Sequence, residues 1–70
     1  CFTMPKEIHR LEELDEIIPR TIEVRVKKHK DFVKVKFRTK KYLYTIKLSD
    51  EEVKALLERI KELNIPIKYF

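Results

Sequence analysis

Apolar and charged residues alternate along the chain with two different periods, and the change of period marks the predicted elements. From residue 5 to residue 18 the apolar residues recur at the three- and four-residue spacing of an amphipathic helix: Ile8, Leu11, Leu14 and Ile18. Pro5 suits the first turn of such a helix, and Pro19 would stop it. The pattern therefore predicts an N-terminal helix over residues 5–18.

The middle of the chain changes to the two-residue period of β-strands. Three segments alternate in this way, at residues 21–28, 33–38 and 42–48, and the polar residues between them indicate turns. One side of the predicted strands is apolar: Ile22, Val24 and Val26, then Val33, Val35 and Phe37, then Tyr44, Ile46 and Leu48. Because the other side is mainly basic, these strands should bury one face only.

A second helix is predicted to begin at Ser49, where "SDEE" has the form of a capping box with Glu52 three residues after the cap. Apolar residues at helical spacing give this helix one buried stripe: Val53, Leu56, Leu57, Ile60 and Leu63. Asn64 and Pro66 would end it. The short apolar tail that follows would either add a strand at a sheet edge or pack as a loop.

The length and the order of these elements predict a single small domain, residues 1–70, of the α+β class. Short turns favour a three-stranded antiparallel meander, and the apolar stripes of an N-terminal and a C-terminal helix would cover one face of it. A short C-terminal edge strand is an optional addition. Because "MPKEI" at residues 4–8 has the form of a natural start, Cys1–Thr3 are interpreted as an extension.

Positive charge is concentrated in the predicted strands. The formal net charge is +5, but residues 21–48 alone hold ten basic and two acidic residues, and both flanking segments have a small acidic excess. Such asymmetry is typical of a surface that binds a polyanion. The alternative is a solvated face whose lysines discourage edge-to-edge pairing of sheets.

The register of the first predicted hairpin brings like charges together. A four-residue loop pairs Lys27 with Lys34, Arg25 with Lys36 and Glu23 with Arg38; a two-residue loop pairs Arg25 with Lys34 and Glu23 with Lys36. In both registers only Glu23 meets an opposite charge. Like charges directly opposite each other destabilise a sheet by up to ~1 kcal/mol per pair. Folding alone therefore does not favour this arrangement, and a bound polyanion would relieve it.

The candidate nucleic-acid-binding residues are the basic side chains of the strands and their turns: Arg25, Lys27, Lys28, Lys30, Lys34, Lys36, Arg38, Lys40, Lys41 and Lys47. Lysines would meet phosphates as point charges, and arginines would hold two oxygens at once. Phe32 falls on the outward side or in the loop, so it is the candidate for stacking an unpaired base. Tyr42 and Tyr44 have the inward parity of core residues.

No catalytic or metal site is predicted. His9 and His29 come from distant segments, which does not make a metal site, and a chain without glycine has no Gly-rich phosphate loop. The single cysteine excludes a disulfide framework and favours a reducing compartment. The chain has no apolar run near the ~20 residues of a membrane span. We therefore expect no enzymatic activity, no cofactor, no metal and no membrane.

Three stretches resemble one known family: "MPKEI" at residues 4–8, "VKKHKDFVK" at residues 26–34, and "YLYT" from residue 42 followed by Asp50. Together they resemble the large-subunit ribosomal protein family number thirty-eight of archaea and eukaryotes, eukaryotic-type L thirty-eight. The resemblance extends from residue 4 to about residue 63. The chain departs from it in having Thr39, Lys40 and Lys41 where relatives have Cys, Ser and Arg, but the positive charge is kept.

The resemblance implies a non-enzymatic constituent of the large ribosomal subunit, in the cytoplasm, that contacts ribosomal RNA and neighbouring ribosomal proteins. It places the basic hairpin contacts of the family on Lys27, Lys28, Lys30, Lys34, Lys36 and Arg38. It also places Lys40 and Lys41 at a turn beside the RNA. A free-standing nucleic-acid-binding or protein-interaction module outside the ribosome is the alternative.

Overall fold

A computed structural model of the chain describes residues 4–70, and the proposed extension Cys1–Thr3 lies outside them. The strands are β1 (Met4–Glu7), β2 (Glu23–Lys28), β3 (Val33–Arg38), β4 (Tyr42–Leu48) and β5 (Ile67–Tyr69). The helices are α1 (Leu14–Ile17) and α2 (Asp50–Glu62). Two 3-10 turns, Leu11–Glu13 and Ile18–Arg20, flank α1.

The five strands form one mixed sheet in the order β1-β4-β3-β2-β5. The three central strands are antiparallel neighbours, as predicted. However, β1 runs parallel to β4, and β5 runs parallel to β2. The predicted three-stranded antiparallel meander with a helix at each end is therefore wrong. Segments near both ends of the chain become the edge strands of a wider, mixed sheet.

The N-terminal segment differs most from the prediction of a helix over residues 5–18. Met4–Glu7 extends along β4, and the backbone N–H of Ile8 donates a 2.8 Å hydrogen bond to the carbonyl of Thr45. This pairing satisfies backbone groups that β4 would otherwise leave at a sheet edge, a gain that hydrophobic periodicity does not reveal. The α-helix is reduced to Leu14–Ile17, and Leu11 is exposed.

The hydrophobic core lies between the helices and one face of the sheet. Its fully buried side chains come from the sheet and from both helical segments: Leu14, Ile18, Val24, Val35, Phe37 and Ile60. Tyr44 packs against this core and is half-buried. Ile22 was expected to face inward, but it is 51% exposed because β2 begins only at Glu23. Leu63, at the end of α2, is exposed as well.

Both ends of α2 follow from local sequence. The Ser49 Oγ accepts a hydrogen bond from the Glu52 N–H, and the Ser49 N–H donates to Glu52 Oε1, so the predicted capping box is present. Asn64 ends the helix with a positive φ of 58°. The N–H groups of Asn64 and Ile65 then donate to the carbonyls of Lys61 and Ile60. This turn directs the tail back along β2, where it forms the optional edge strand.

Candidate nucleic-acid interface

The sheet surface that faces away from the core and the helices, called the open face, carries most of the predicted basic residues. Strand register brings seven cations to it: Arg25, Lys27, Lys34, Lys36, Arg38, Lys47 and Lys68. Among residues 4–70 the same register adds two acids, Glu7 and Glu23. The structure therefore gathers six of the ten predicted residues on one strongly positive surface.

Three lysines on adjacent strands form a row across the middle of the open face. Lys34 of β3 is paired in register with Lys27 of β2 on one side and with Lys47 of β4 on the other. Neighbouring strands lie ~4.8 Å apart, so this lysine row spans about 10 Å of surface. Within the part of the chain that the structure describes, no member of the row forms a salt bridge.

The register of the hairpin between β2 and β3 is the one expected for a four-residue loop. Arg25 is paired with Lys36, and Glu23 with Arg38. The backbone N–H of His29 donates to the carbonyl of Phe32 at 2.8 Å, which closes the loop. The like-charge pairs predicted from the sequence are therefore present.

Glu23 is bound by two cations of the open face. Its Oε2 accepts a 2.9 Å hydrogen bond from Arg25 Nε, and Lys68 Nζ lies 2.9 Å from its Oε1. These contacts, that of Lys68 first, lower the pKa of Glu23 below its ordinary value of 4.5 and keep it ionised. Lys68 was not among the predicted site residues, because no register could be assigned to the tail. Its position between Ile67 and Tyr69 was the available signal.

The other predicted basic residues lie away from the centre of the open face. Lys28 is on the helical side of the sheet, where its Nζ is 3.8 Å from Asp50 Oδ1. Lys30 is exposed in the turn between β2 and β3, while Lys40 and Lys41 are exposed in the turn between β3 and β4. Since β2, β3 and β4 are antiparallel neighbours, the two turns lie at opposite ends of the sheet.

Two phenylalanines lie beside this positive surface. The Phe32 ring stacks on His29 with 4.8 Å between ring centroids, and Lys47 Nζ is 5.0 Å from its centroid. Phe70 is 68% exposed, and the Arg25 guanidinium lies 5.7 Å from the centroid of its ring. Phe32, the predicted stacking residue, already has partners on its π-surface. Sequence reasoning did not consider Phe70, because the tail had no assigned position.

A shallow cavity of about 310 Å³ opens on the β2 side of the open face. Its polar lining consists of cations and one imidazole: Arg25, Lys27, Lys34, Lys36 and His29, with Phe70 at the rim. Such a lining offers hydrogen-bond donors and positive charge but no carboxylate side chain. It is suited to binding phosphate rather than to acid–base chemistry by paired carboxylates.

Within residues 4–70, no group of three or more His, Cys, Asp or Glu residues is placed to hold a metal ion. None of the described helices is long and apolar enough to cross a membrane.

Comparison with known proteins agrees with the resemblance seen in the quoted stretches. Residues 4–63 match the family model of the Ribosomal L38e protein family. The large ribosomal subunit protein eL38 of Aeropyrum pernix is 45% identical to this chain over 58 residues, which are 83% of this chain and 87% of that protein. The matched residues contain the whole lysine row, whereas Lys68 and Phe70 lie beyond the span of the family model.

Proposed function

The chain belongs to the ribosomal L38e protein family, and we propose that it binds ribosomal RNA through the open face as a structural constituent of the large ribosomal subunit. Membership of this family indicates a structural role rather than an enzymatic one. The chain therefore acts by binding other components of the ribosome, and the ribosome is where it is located.

The lysine row is the observation that carries this proposal. Three ammonium groups on adjacent strands repel one another, and like charges directly opposite in a sheet are destabilising. The salt bridges among residues 4–70 leave the row unpaired, because Glu23 binds Arg25 and Lys68 while Asp15 and Asp50 form theirs on the helical side. A phosphate backbone on the open face would neutralise the row and release the counterions of the RNA.

Recognition would depend on the shape and backbone of the RNA. The side chains of the open face are mainly hydrogen-bond donors, and a double-stranded RNA helix hides its base edges in a deep, narrow groove. The lysines would act as point charges, whereas Arg25 and Arg38 would each hold two phosphate oxygens. Lys30 at one end of the sheet, with Lys40 and Lys41 at the other, would extend the contact along the RNA.

The opposite side of the domain is left for other contacts. The exposed surface of α2 mixes acids and bases: Asp50, Glu51, Glu52, Lys54, Glu58, Arg59, Lys61 and Glu62. This mixture suits solvent or neighbouring ribosomal proteins better than it suits a polyanion. The two sides of the domain therefore have different proposed partners.

Salt dependence of RNA binding tests the proposal. If about six cations each neutralise one phosphate, the logarithm of the affinity for large-subunit ribosomal RNA should fall against the logarithm of salt concentration with a slope of roughly −4 to −5. The double variant Lys34→Gln/Lys47→Gln should bind more weakly and have a slope smaller by about 1.5.

A matched control removes the same charge from the other side of the domain. Lys54→Gln/Lys61→Gln changes two exposed lysines of α2, and it should leave both the affinity and the slope close to those of the wild type. A slope near zero, or a control that weakens binding as much as the open-face variant, would contradict the proposal. Circular dichroism of both variants verifies that each remains folded.

A further inference from the structure

We propose that the cavity beside Phe70 holds one unpaired nucleotide of the bound RNA, with its base stacked on the Phe70 ring and its phosphate on the neighbouring cations. This inference rests on the proposed function of the open face. It adds the class of ligand, an unpaired nucleotide, and the place where that nucleotide binds, the cavity beside Phe70.

The size and lining of the cavity suit one nucleotide. Its volume of about 310 Å³ is at the lower end of the ~300–1,000 Å³ that small-ligand sites occupy. Four cations line it, namely Arg25, Lys27, Lys34 and Lys36, and none of the lining side chains is a carboxylate. A cavity of this volume has room for one nucleotide but not for a duplex, so the ligand that fits is an unpaired nucleotide.

The tail of the chain fixes Phe70 at the rim of this cavity. β5 runs parallel to β2 with Lys68 paired to Arg25, and the backbone N–H of Phe70 donates a 2.8 Å hydrogen bond to the carbonyl of Val26. A single exposed apolar side chain is ordinary on a protein surface. This ring, however, lies at the edge of a cationic cavity, where stacking on a base would cover it.

Arg25 links the ring to the phosphate-binding side of the cavity. Its guanidinium lies 5.7 Å from the Phe70 centroid, and its hydrogen bond to Glu23 uses Nε. A phosphate would therefore meet the terminal nitrogens of the guanidinium, while the base lies against the ring. Phe32 is a weaker platform, because His29 and Lys47 already contact its ring.

Tyr69 provides a matched control for Phe70. It is the preceding residue, and it is 62% exposed against 68% for Phe70. It is paired with Val26, whose buried side chain faces the core, so Tyr69 lies on the opposite side of the sheet from the cavity. Replacing either residue by alanine removes one exposed aromatic ring. Only the replacement of Phe70 changes the lining of the cavity.

The experiment compares the binding of the full chain to a short single-stranded oligouridylate and to an RNA duplex. We expect Phe70→Ala to weaken oligouridylate binding about tenfold, since one stacked base is lost, and to leave duplex binding and the salt slope unchanged. Tyr69→Ala should behave as the wild type, and Phe70→Tyr should retain the affinity. An oligonucleotide that carries 2-aminopurine should lose fluorescence on binding to the wild type but not to Phe70→Ala.

The outcomes separate this inference from the proposed function. If Phe70→Ala binds oligouridylate as tightly as Tyr69→Ala does, with the salt slope intact, the nucleotide site is wrong and the lysine row stands. If neither RNA binds with a salt-dependent affinity, the proposed function fails, and the inference fails with it.

Discussion

Lys68 Nζ lies 2.9 Å from Glu23 Oε1, so β5 supplies a second cation to an acid that Arg25 of β2 already binds. The Glu23 side chain is only 15% exposed. A carboxylate in that position needs partners, because removal from water penalises its charged form. Lys68 thus joins the last strand to the open face electrostatically, in addition to the backbone pairing of β5 with β2.

The folding stability of the domain should depend on pH in the acid range, because Glu23 becomes protonated there. A carboxyl whose pKa is lower in the folded protein than in the unfolded chain contributes stability above the unfolded pKa, and this contribution is lost as the pH falls through the folded pKa. The ordinary pKa of a glutamate, taken for the unfolded chain, is 4.5, and the contacts with Lys68 and Arg25 lower the pKa of Glu23 in the folded protein. We therefore expect this contribution to be complete above about pH 4.5 and to decline below it. Urea unfolding across the acid range measures the decline.

Two variants isolate the contribution of Glu23 from that of the other acids. Glu23→Gln should lack this part of the pH dependence, and Lys68→Gln should show less of it, since Lys68 is the leading cause of the lowered pKa. Equal pH profiles for the wild type and Glu23→Gln would mean that these contacts do not affect folding. Glu58 is exposed on α2, so Glu58→Gln serves as the neutral control.

The end of α2 should depend on the backbone conformation of Asn64. Its φ of 58° is one that most residues adopt at a cost of about 1–2 kcal/mol, whereas Asn tolerates it better and Gly adopts it freely. Asn64→Val should therefore lower the free energy of unfolding by about 1 kcal/mol, and Asn64→Gly should match or exceed the wild type. Thermal unfolding followed by circular dichroism measures the relative stabilities of the three proteins. An Asn64→Val variant more stable than the wild type would contradict the prediction.

The stability of the folded domain should depend strongly on the Phe37 side chain in the core. This side chain is 0% exposed and is the largest among the fully buried residues. Phe37→Ala should cost about 3–5 kcal/mol, which is a large part of the ~5–15 kcal/mol that stabilises a typical domain. Partial unfolding at 25 °C is the expected result. Phe70→Ala should change stability by less than about 0.5 kcal/mol, because that ring lies at the surface.

The part of the fold that was predictable from the sequence depends on residues close together in the chain. Three examples are the hairpin between β2 and β3, the capping box at Ser49 and the helix end at Asn64. In each of them, neighbouring residues allow only a few local backbone conformations. The same locality made the open face predictable, since alternation along β2, β3 and β4 determines which side chains share a side.

The part that was not predictable depends on pairing between distant segments. Nothing in the sequence around Met4–Glu7 indicates that this segment pairs with β4, because the partner residues Tyr42–Thr45 are far along the chain. Helical spacing of Ile8, Leu11 and Leu14 favoured a helix locally, and the sheet edge overrode it. The tail was ambiguous for the same reason. Its register on β2 is what brings Lys68 and Phe70 to the open face.

The lysine row should oppose folding and favour binding, so one substitution in it should have opposite effects on the two. Lys34 is paired with a lysine on each side. Lys34→Gln removes both repulsions, each worth up to ~1 kcal/mol, so the isolated domain should become more stable. Each kcal/mol gained should raise the melting temperature of a domain of this size by about 4–8 °C. The affinity for ribosomal RNA should fall in the same variant, because one phosphate contact is lost.

Salt separates repulsion from packing as the cause of that gain. At ~1 M salt the Debye length is about 3 Å, so repulsion within the row is screened and the gain in melting temperature of Lys34→Gln should shrink. A gain from side-chain packing would persist at high salt. Lys54→Gln on α2 should show no comparable gain at either salt concentration. If Lys34→Gln were less stable than the wild type at low salt, the row would not be under repulsion, and its need for a bound polyanion would disappear.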